Sequence, residues 1–527
     1  MSAQTTPAEL HFSSPRGSTS KQGSRGLRLS LIGVAVAALA LSGCAIRPKP
    51  FTDAERAQTA QADRTAMFSG QPALSGPLTL EEAMARAIRY NLDHRLKMME
   101  EALAQKQLDL ANFDMLPKLT ADAGYTHRDH LLVSSSEDYF TRGQSLPPSY
   151  SSDQNERTAD LAFSWNILDF GVSYFEAKEQ ADRVLVVEQR RRKVVQLMMQ
   201  QVREAYWQAA GAERLSSRIA PLLVQAKQAL EESRQSQSER LRSPLETLAY
   251  QHALLDIMRQ LEAVRDQLDE AKPRLASLMN IAPGTDFKLA PPEGFAVPTF
   301  GMPMPQMEET ALERRPELVE ASYNERISVN ETHKAIAKLL PGIELQLGSH
   351  YDSNSFLMFH SWRAAGVNVS WNLLNLLNEK SIRGAADAQH QVARAQQLAL
   401  SMAVLTQVHV ARAELAAKQR QFDLFKQLND VDAQILQHTH NATIANAQGK
   451  LEEIRAATSA MMSELRLYQS YGELESAYGQ LLATLGLDPL PASLGAGNGD
   501  LKTIEQSIET EQARWASFGS ADGVKKQ

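Results

Sequence analysis

The sequence predicts a mainly α-helical protein with a small β part, built from two tandem structural repeats. Three observations predict this class: two helical stretches of about 70 residues each, four short segments in which apolar and polar residues alternate, and one order of elements that occurs in both halves of the chain. A length of 527 residues would allow three or four ordinary domains. The recurrence favours one duplicated unit instead, because self-similarity at a fixed offset is typical of repeat architectures.

The two halves can be aligned on short matching segments. Ser164–Leu168 (SWNIL) recurs as Ser370–Leu374 (SWNLL), 206 residues later. Upstream, Leu116-Pro117 matches Leu340-Pro341 at an offset of 224 residues, so the first half carries an insertion of 18 residues between about 128 and 160. This insertion is polar, rich in serine and contains two adjacent prolines, and we therefore expect an extended loop there.

Four segments with a period of two predict amphipathic strands, at about 119–127, 159–168, 343–351 and 365–374. Their apolar positions share one face. The other face carries polar residues, namely Thr120, Asp122, Ser164, Asn166, Glu344, Gln346, Asn368, Ser370 and Asn372. One interpretation is a small, half-buried sheet in a soluble domain; the other is a sheet that meets lipid on one side and water on the other.

The first helix is predicted from local signals at its two ends. Thr79 is a favourable N-cap residue for a helix over about Leu80 to Met115. Pro117 ends this helix, because the residue before a proline disfavours the α region. The first strand follows directly.

Two much longer helices are predicted at about 172–241 and 378–446, each a rod of roughly 100 Å at 1.5 Å per residue. Apolar residues spaced three and four apart over Leu254–Leu278 predict coiled-coil packing rather than a globular core. The shorter helices at about 80–115 and 245–281 would, end to end, match the length of one long helix. Rods of this kind argue against an ordinary half-buried sheet in a soluble domain.

The N-terminus carries a targeting signal. A basic segment that ends at Arg28 precedes the apolar run Leu29–Leu41, which is too short for a transmembrane helix and has the length of a signal-peptide core. Leu41-Ser42-Gly43-Cys44 then resembles the lipobox of bacterial lipoproteins, in which the cysteine is acylated and becomes the first residue after cleavage. Ala45 favours the outer membrane in such proteins. The alternative is an ordinary secretory signal followed by a free or buried cysteine.

The sequence also limits how the chain could cross a bilayer. After Leu41 no stretch of 18 or more apolar residues occurs, so a transmembrane helix is not expected. Four strands cannot close a barrel, and transmembrane barrels begin at about eight strands. Either two or three chains share one barrel, with twelve strands for three chains, or the strands do not span the membrane.

Other chemistries find little support in the sequence. A single cysteine excludes a disulfide framework, and a net charge of −7 makes nucleic acid an unexpected partner. The motifs G-x-S-x-G, H-E-x-x-H, G-x-G-x-x-G and the P-loop are all absent from the sequence. His438 and His440 would lie on different faces of a helix, which disfavours a joint metal site. We therefore expect no enzymatic activity, no cofactor and no metal.

The order of elements, with its motifs, resembles the TolC-type outer-membrane factor family over almost all of the mature chain. Leu78–Ala83 (LTLEEA) with Asn91-Leu92-Asp93 is similar to the opening signature of the family, and Met307–Leu312 (MEETAL) with Arg315–Leu318 (RPEL) is its second copy. The resemblance implies a homotrimer, with a long α-helical coiled-coil barrel through the periplasm and a shared 12-stranded transmembrane β-barrel in the outer membrane.

The resulting division of the chain is the following: a signal peptide at 1–43, a lipidated N-terminal segment at 44–78, repeat 1 at 79–281, an equatorial linker at 282–306, repeat 2 at 307–487, and a partly disordered tail at 488–527. Cys44 is the predicted lipidation site.

The resemblance also implies roles for the two helical turns at 239–244 and 446–450, which would form the periplasmic tip. It assigns adaptor contact to Leu241, Leu245, Gly449 and Leu451, and a periplasmic gate to Glu246, Glu452, Glu453 and Arg455. The sequence departs from the family here, since Arg240 and Asn446 stand where glycines are usual and Arg455 stands where some relatives have a second acid. The alternative for Glu246 and Glu452 is a solvated helix face.

The implied function is that of the outer-membrane channel in a tripartite efflux or type I secretion system. In such a system a passive trimeric duct receives substrates from an inner-membrane transporter through a periplasmic adaptor. The alternative is a lipid-anchored periplasmic coiled-coil scaffold or adaptor without a pore. The two differ in what the strands do, because only the channel requires them to close into a barrel in outer-membrane lipid.

Overall fold

A computed structural model describes residues 48–239, 243–292, 294–445, 449–490, 494 and 499–516. The predicted signal peptide and Cys44 lie outside the described residues. The chain divides into two compact units, 1–66 and 67–527. Helix α1 (Asp53–Met67) makes up most of the described part of the first unit. Thr52 and Glu55 make a capping box at its start, in which the Thr52 N–H donates to Glu55 Oε2 (2.8 Å) and the Glu55 N–H to Thr52 Oγ1 (3.2 Å).

The first half of the second unit alternates helices and strands. Its elements are α2 (Leu80–Tyr90), α3 (Leu92–Phe113), β1 (Lys118–His127), β2 (Val133–Glu137), β3 (Gln144–Tyr150), β4 (Asn155–Asn166), α4 (Ile167–Ser238) and α5 (Pro244–Leu278). The second half follows a similar order. Its elements are α6 (Met304–Arg314), α7 (Pro316–Ala337), β5 (Gly342–Asp352), β6 (Ser361–Ser370), α8 (Leu374–Leu377), α9 (Glu379–Ile444), α10 (Lys450–Thr484) and α11 (Leu501–Ala516).

The predicted single helix at 80–115 is wrong, because Asn91 divides it into α2 and α3. The Asn91 side-chain oxygen accepts from the N–H groups of Asp93 (3.0 Å) and His94 (3.2 Å) and so caps α3. At the other end of the segment, Thr79 caps α2 as predicted, since its Oγ1 accepts from the Glu82 N–H at 3.1 Å. A similar break separates α6 from α7, where Pro316 occupies the first helical position.

The predicted loop at 128–160 is also wrong, because it contains the hairpin of β2 and β3 and the first part of β4. The hairpin turns at Asp138, whose Oδ1 accepts from the N–H groups of Phe140 (3.0 Å) and Thr141 (2.8 Å), and Arg142 has a φ of +54°. The two adjacent prolines lie inside β3, which has one strand partner and can therefore spare their missing N–H groups.

A four-stranded sheet has the order β1-β4-β5-β6, with all neighbours antiparallel. The register places Phe163 opposite both Leu119 and Leu347, and Leu345 opposite Val367, so one apolar face runs across all four strands. Strands β4 and β6 differ from the prediction by more than one residue. Asn166 caps α4 and ends β4, because its side chain accepts from the N–H groups of Leu168 and Asp169. The last strand begins at Ser361 and ends at Ser370, four residues earlier than predicted at each end.

The long helix α4 has 72 residues and packs against different partners along its length. It contacts α3 and α7 in one half, and α5 and α10 in the other. Likewise α9 packs against α7 and then α10. Shorter helices therefore lie one after another along each long helix, as the predicted lengths required. The apolar residues of the predicted seam in α5 are buried: Leu254, Leu261 and Leu275 are all 0% exposed.

An aromatic cluster lies where α4, α9 and α10 meet the segment between α5 and α6. Trp207 packs edge-on against Tyr471 (ring centroids 4.5 Å apart), and Phe295 lies 5.6 Å from Phe422. Gly211 permits the close approach of α4 to α10, since a Cβ there would lie 2.7 Å from Tyr468 Cβ. The segment predicted as a linker at 282–306 therefore contributes to the core. Within it, Leu289 forms an isolated parallel β-bridge with Leu78.

Part of the predicted tail at 488–527 is helical. Helix α11 packs against α2 and buries Ile504 and Ile508 (both 0% exposed) and Trp515 (4%). Residues 517–527 lie outside the described part of the chain. Over the described ranges, no helix combines the length and the apolar character that a membrane crossing would need.

Candidate functional site

The two turns of the predicted tip lie between α4 and α5 and between α9 and α10. Residues 240–242 and 446–448 lie outside the described residues, and with them Leu241, the predicted apolar docking residue, and the positions Arg240 and Asn446. The remaining predicted residues stand on the first turns of α5 and α10, or at the residue before α10 in the case of Gly449.

An open groove of about 520 Å³ at this end brings three of the predicted residues together. Glu246 comes from α5, and Gly449 and Leu451 come from the start of α10. The remaining lining residues come from α4, α5 and α10, namely Ala229, Glu232, Ser233, Ser236, Thr247, Tyr250 and Lys450. The groove combines a carboxylate from each of α4 and α5 with Lys450, whose Nζ lies 3.6 Å from the Glu232 carboxylate. Polar and charged groups dominate this groove.

The three predicted adaptor residues that the structure describes, Leu245, Gly449 and Leu451, do not form one surface. Leu451 is half-buried and packs against the core of the helices. Leu245 is 78% exposed and lies outside the groove, and Leu248, one turn further along α5, is 51% exposed. Leu245 and Leu248 form an exposed apolar pair at the start of α5.

The predicted gate residues fall into three separate groups. Glu452 pairs with Arg455 at 2.7 Å, one turn away on the same helix. Glu453 pairs instead with His440 of α9, where the Oε1 to Nδ1 distance is 2.6 Å. Glu246 belongs to the groove and joins neither pair. Because Glu452 and Arg455 are both about half-exposed, their ion pair contributes at most about 1 kcal/mol.

The contact between Glu453 and His440 was not predicted. The sequence offered His440 as a surface residue, and its partner lies 13 residues away across a helix turn. An imidazole on one side of the turn between α9 and α10 and a carboxylate on the other were the one signal that could have suggested this pair. This contact links α9 to α10 next to the tip, whereas the pair of Glu452 with Arg455 lies within α10 alone.

At the opposite end of the long helices, buried charges join α4 to α7. Lys334 of α7 donates to Glu176 (2.5 Å) and Glu179 (2.8 Å) of α4, and Glu179 is 1% exposed. Burial opposes the charge on Lys334, but the hydrogen bonds to the two carboxylates outweigh it and raise the pKa of the ammonium group. Arg326 makes a second link with Asp182, from Nε to both carboxylate oxygens at 2.9 and 3.0 Å. These pairs fix α7 to α4 close to β5.

The packing of α11 on α2 brings acidic side chains together. Glu505 lies against Thr79, with 3.4 Å between Glu505 Oε1 and Thr79 Oγ1. Burial and the negative charges of Glu82 and Glu509 raise the pKa of Glu505. The contact between the two helices is therefore apolar at Ile504 and Ile508, with electrostatic repulsion at its edge.

The sheet separates two chemically different faces. By register, the polar face carries Thr120 and Asp122 of β1, Ser164 and Asn166 of β4, Glu344 and Gln346 of β5, and Asn368 and Ser370 of β6, all as predicted. Asn372 is the exception, because it follows β6 and its side chain accepts from the Leu374 N–H at the start of α8. On the apolar face, Leu119 and Val367 are 67% and 68% exposed within one chain.

Comparison with known proteins agrees with this architecture. Residues 85–280 match the family model described as outer membrane efflux protein. The predicted resemblance to TolC-type outer-membrane factors is confirmed. A comparison with curated proteins finds no match.

Solved structures of TolC-type channels share the fold at low sequence identity. The outer-membrane channel CmeC of Campylobacter jejuni is 12% identical, with a TM-score of 0.60, over 89% of this chain and 97% of that one. The outer-membrane protein VceC of Vibrio cholerae is 15% identical, with a TM-score of 0.57, over 77% of this chain and 96% of that one. The outer-membrane channel MtrE of Neisseria gonorrhoeae, solved in an open state, is 16% identical, with a TM-score of 0.56, over 78% and 89%.

Proposed function

We propose that three copies of this chain form the outer-membrane channel of a tripartite efflux or type I secretion system. The twelve strands of the trimer close one barrel in the outer membrane, and the helices form a tunnel through the periplasm. The channel is a passive duct for substrates that an inner-membrane transporter delivers through a periplasmic adaptor. The observation that carries this proposal is the position of unpaired edges and exposed apolar residues within one chain.

The sheet leaves both of its edges open. Among the described residues, the outer sides of β1 and β6 have no strand partner. Unpaired backbone N–H and C=O groups cost several kcal/mol each in lipid, so a sheet of this kind enters a membrane only when it is closed. Pairing of β1 in one copy with β6 in the next satisfies both edges, and places the apolar face outward and the polar face inward.

The helices beside the sheet also leave apolar surface uncovered within one chain. They form a row in the order α3, α4, α7 and α9, in which α3 and α9 are the end members. Exposed apolar residues follow α3 at helical spacing: Leu96, Met99, Leu103 and Leu110, each between 55% and 65% exposed. Met402 and Val410 of α9 are 65% and 57% exposed. Apolar stripes on both end helices favour contact between α3 of one copy and α9 of its neighbour.

In the half of the long helices nearer the tip, the row is α5, α4, α10 and α9. Its end helices, α5 and α9, again carry exposed apolar residues. Leu248 and Leu255 of α5 are 51% and 48% exposed, and Leu424 and Val431 of α9 are 64% and 51% exposed. The same neighbouring copy can therefore cover α9 along its whole length, with α3 in one half and α5 in the other. The pairing of strands between copies and the packing of helices between copies then follow the same threefold symmetry.

The test compares neighbouring residues on opposite faces of β6. Val367→Arg places a charge on the face assigned to lipid, which costs about 2–4 kcal/mol at the membrane midplane, so we expect little trimer in the outer membrane. Asn368→Arg, the matched control, places the same charge in the lumen, where we expect a normal yield of trimer and weaker cation conductance in planar bilayers. Wild-type protein that remains monomeric and soluble without detergent would refute the channel and favour the scaffold.

The tip and the anchor complete the proposal. Leu245 and Leu241 contribute one adaptor contact, Gly449 and Leu451 contribute a second one from the groove, and Glu246, Glu452, Glu453 and Arg455 line the periplasmic opening. Leu245→Asp should therefore reduce crosslinking to the adaptor in cells while the trimer persists. Cys44 carries the acyl anchor in this proposal. Mass spectrometry of the wild-type N-terminal peptide should find Cys44 as its first residue with the added mass of acyl chains, and Cys44→Ser should yield no acylated peptide. A wild-type N-terminal peptide without acyl mass would exclude the anchor.

A further inference from the structure

One row of side chains on the polar face of the sheet differs from the rest of that face. The register aligns Asp122 of β1, Asp160 of β4, His350 of β5 and Trp362 of β6 as direct neighbours across all four strands. The next row on the same face, two residues along each strand, consists of Thr120, Ala162, Gly348 and Ala364. An acidic and aromatic row therefore stands beside a row of small side chains.

Direct contacts organise this row. His350 Nδ1 lies 2.6 Å from Asp160 Oδ1. On its other side the imidazole stacks on the indole of Trp362, with 5.3 Å between ring centroids and an interplanar angle of 23°. The imidazole thus holds a carboxylate and an indole in fixed positions on either side of one strand.

Gly348 makes this arrangement possible. The His350 ring folds back along β5 over Gly348, and a Cβ at Gly348 would clash with His350 Nε2 and lie 3.0 Å from Cε1. Any other residue there would push the ring off the strand and away from the indole. A glycine inside a strand is unfavourable in general, so its place under the ring indicates that the stack is built in.

The charges of the row are not balanced by the protein. Asp122 and Asp160 are direct cross-strand neighbours, an arrangement of like charges that destabilises a sheet. Within the described residues neither carboxylate pairs with a lysine or an arginine, and His350 is the partner of Asp160 alone. Trp362 is 44% exposed, so part of its surface is available to a solute. Asp160 lies two strand spacings, about 10 Å, from Trp362 along the row. A flat organic cation can span this distance, with its ring on the π face of the indole and its charge close to the carboxylate.

We propose that Asp122, Asp160, His350 and Trp362 form a cation belt that binds flat aromatic cations on their way through the channel. The inference rests on the proposed function, because that function places the polar face of the sheet in the lumen. Three copies would then set six carboxylates and three indoles at one level of the barrel. The row of small side chains provides room for an aromatic ring beside each indole. The belt gives the duct a preference for cationic aromatic substrates over anionic or aliphatic ones.

The test measures block of the ion current through the full-length trimer in planar bilayers. Ethidium is the aromatic cation, tetrabutylammonium is the aliphatic cation, and an aromatic sulfonate is the anion. Trp362→Leu should raise the half-blocking concentration of ethidium about fivefold, within the range of a cation–π contact, and that of tetrabutylammonium by a smaller factor, because an aliphatic ammonium meets the indole through its charge but does not stack on it. Asp122→Asn combined with Asp160→Asn should weaken block by both cations. The sulfonate should block none of these channels.

Two further variants control for altered folding and for charge in general. Trp362→Phe keeps an aromatic face and should keep most of the ethidium block. Glu344→Gln removes a carboxylate from the same face of the same strand, six residues from His350, and should change the ethidium block less than twofold.

The possible outcomes separate the belt from the channel. Equal block of wild type and Trp362→Leu by ethidium would overturn the belt, as would equal effects of Glu344→Gln and the double aspartate variant. Block by Mg²⁺ as strong as block by ethidium would also overturn it, because it would show a site for charge alone. A wild-type trimer that carries no current would instead refute the proposed channel.

Discussion

Gly211 and Gly384, one in each long helix, should respond with opposite signs to the same substitution. Gly211 lies in α4 at its contact with α10, and a Cβ there would come within 2.7 Å of Tyr468 Cβ and 2.9 Å of its Cγ. Gly384 lies in α9, where a Cβ would meet no atom of the chain within 4 Å. The chemical change is identical at the two sites, and only the packing differs.

Two effects compete in Gly211→Ala. Alanine in a helix interior is favoured over glycine by about 0.5–1 kcal/mol, because glycine loses more backbone freedom on folding. Overpacking in a close-packed core costs about 1–3 kcal/mol. Tyr468 Cβ is attached directly to the backbone of α10 and cannot swing aside, so relief requires the two helices to separate. The clash therefore exceeds the gain, and we expect a net loss of about 1–2 kcal/mol. For Gly384→Ala no contact within the chain opposes the gain of about 0.5–1 kcal/mol, and the expected rise requires that the neighbouring copy in the proposed trimer leaves room for one methyl group.

The assay is guanidinium unfolding of purified protein in detergent, followed by far-ultraviolet circular dichroism, with the midpoints of both variants compared with that of the wild type. We expect the Gly211→Ala midpoint to fall and the Gly384→Ala midpoint to rise. Equal shifts of the two midpoints would refute the reasoning, because they would show that the contact with Tyr468 relaxes at no cost.

Two other predictions follow from the charged contacts. Lys334→Met should lower the stability of the protein by about 3 kcal/mol, because it leaves a buried carboxylate without its lysine partner. Lys193→Met should cost less than about 1 kcal/mol, because Lys193 is 59% exposed and its partner Glu317 keeps its ion pair with Arg315. Similar unfolding midpoints for the two variants would contradict this. Because the pKa of Glu505 is raised in the folded state, its contribution to the docking of α11 is present at pH values below its ordinary pKa and is lost as the pH rises through the raised one. The assay is acrylamide quenching of the fluorescence of Trp515, obtained by subtracting the signal of Trp515→Phe. Quenching should increase with pH in the wild type and in the control Glu511→Gln, and should increase less in Glu505→Gln. Parallel pH curves for the wild type and Glu505→Gln would exclude the effect.

The order of helices and strands could be predicted because its signals are local. Thr79 caps a helix through its own side chain, and the alternation of residues in β1 needs no knowledge of the partner strand. The interruption at Asn91 could not be predicted in the same way. The Asn91 side-chain oxygen accepts from the first N–H groups of α3, and its amide nitrogen donates to the Leu278 carbonyl at 3.0 Å. That second contact depends on the packing of α5. The hairpin of β2 and β3 was missed because prolines weigh against a strand unless the strand has a free edge.

The grouping of the tip residues depends on distances that sequence spacing does not contain. Glu452 and Glu453 are adjacent in the chain, yet a helix turns successive side chains by about 100°, so one pairs along α10 and the other pairs across to α9. The same reasoning applies to the cation belt. The sequence predicted a strand that began after Trp362, so the tryptophan fell outside it. Only the register of β5 with β6 places this indole beside His350 on the polar face.

The distribution of buried and exposed side chains links stability to function in this chain. Charges that must stay fixed, such as Lys334 with Glu179, are buried between α4 and α7, where removing one partner is costly. The charges of the tip, such as Glu452 with Arg455, are exposed, and their pairing contributes little and can be exchanged at little cost. The proposed duct, which opens at its periplasmic end, would need this asymmetry, because its tip would rearrange while the end beside the sheet holds its shape. The weak ion pairs at the tip and the buried ones near the sheet are therefore both consistent with the proposed channel.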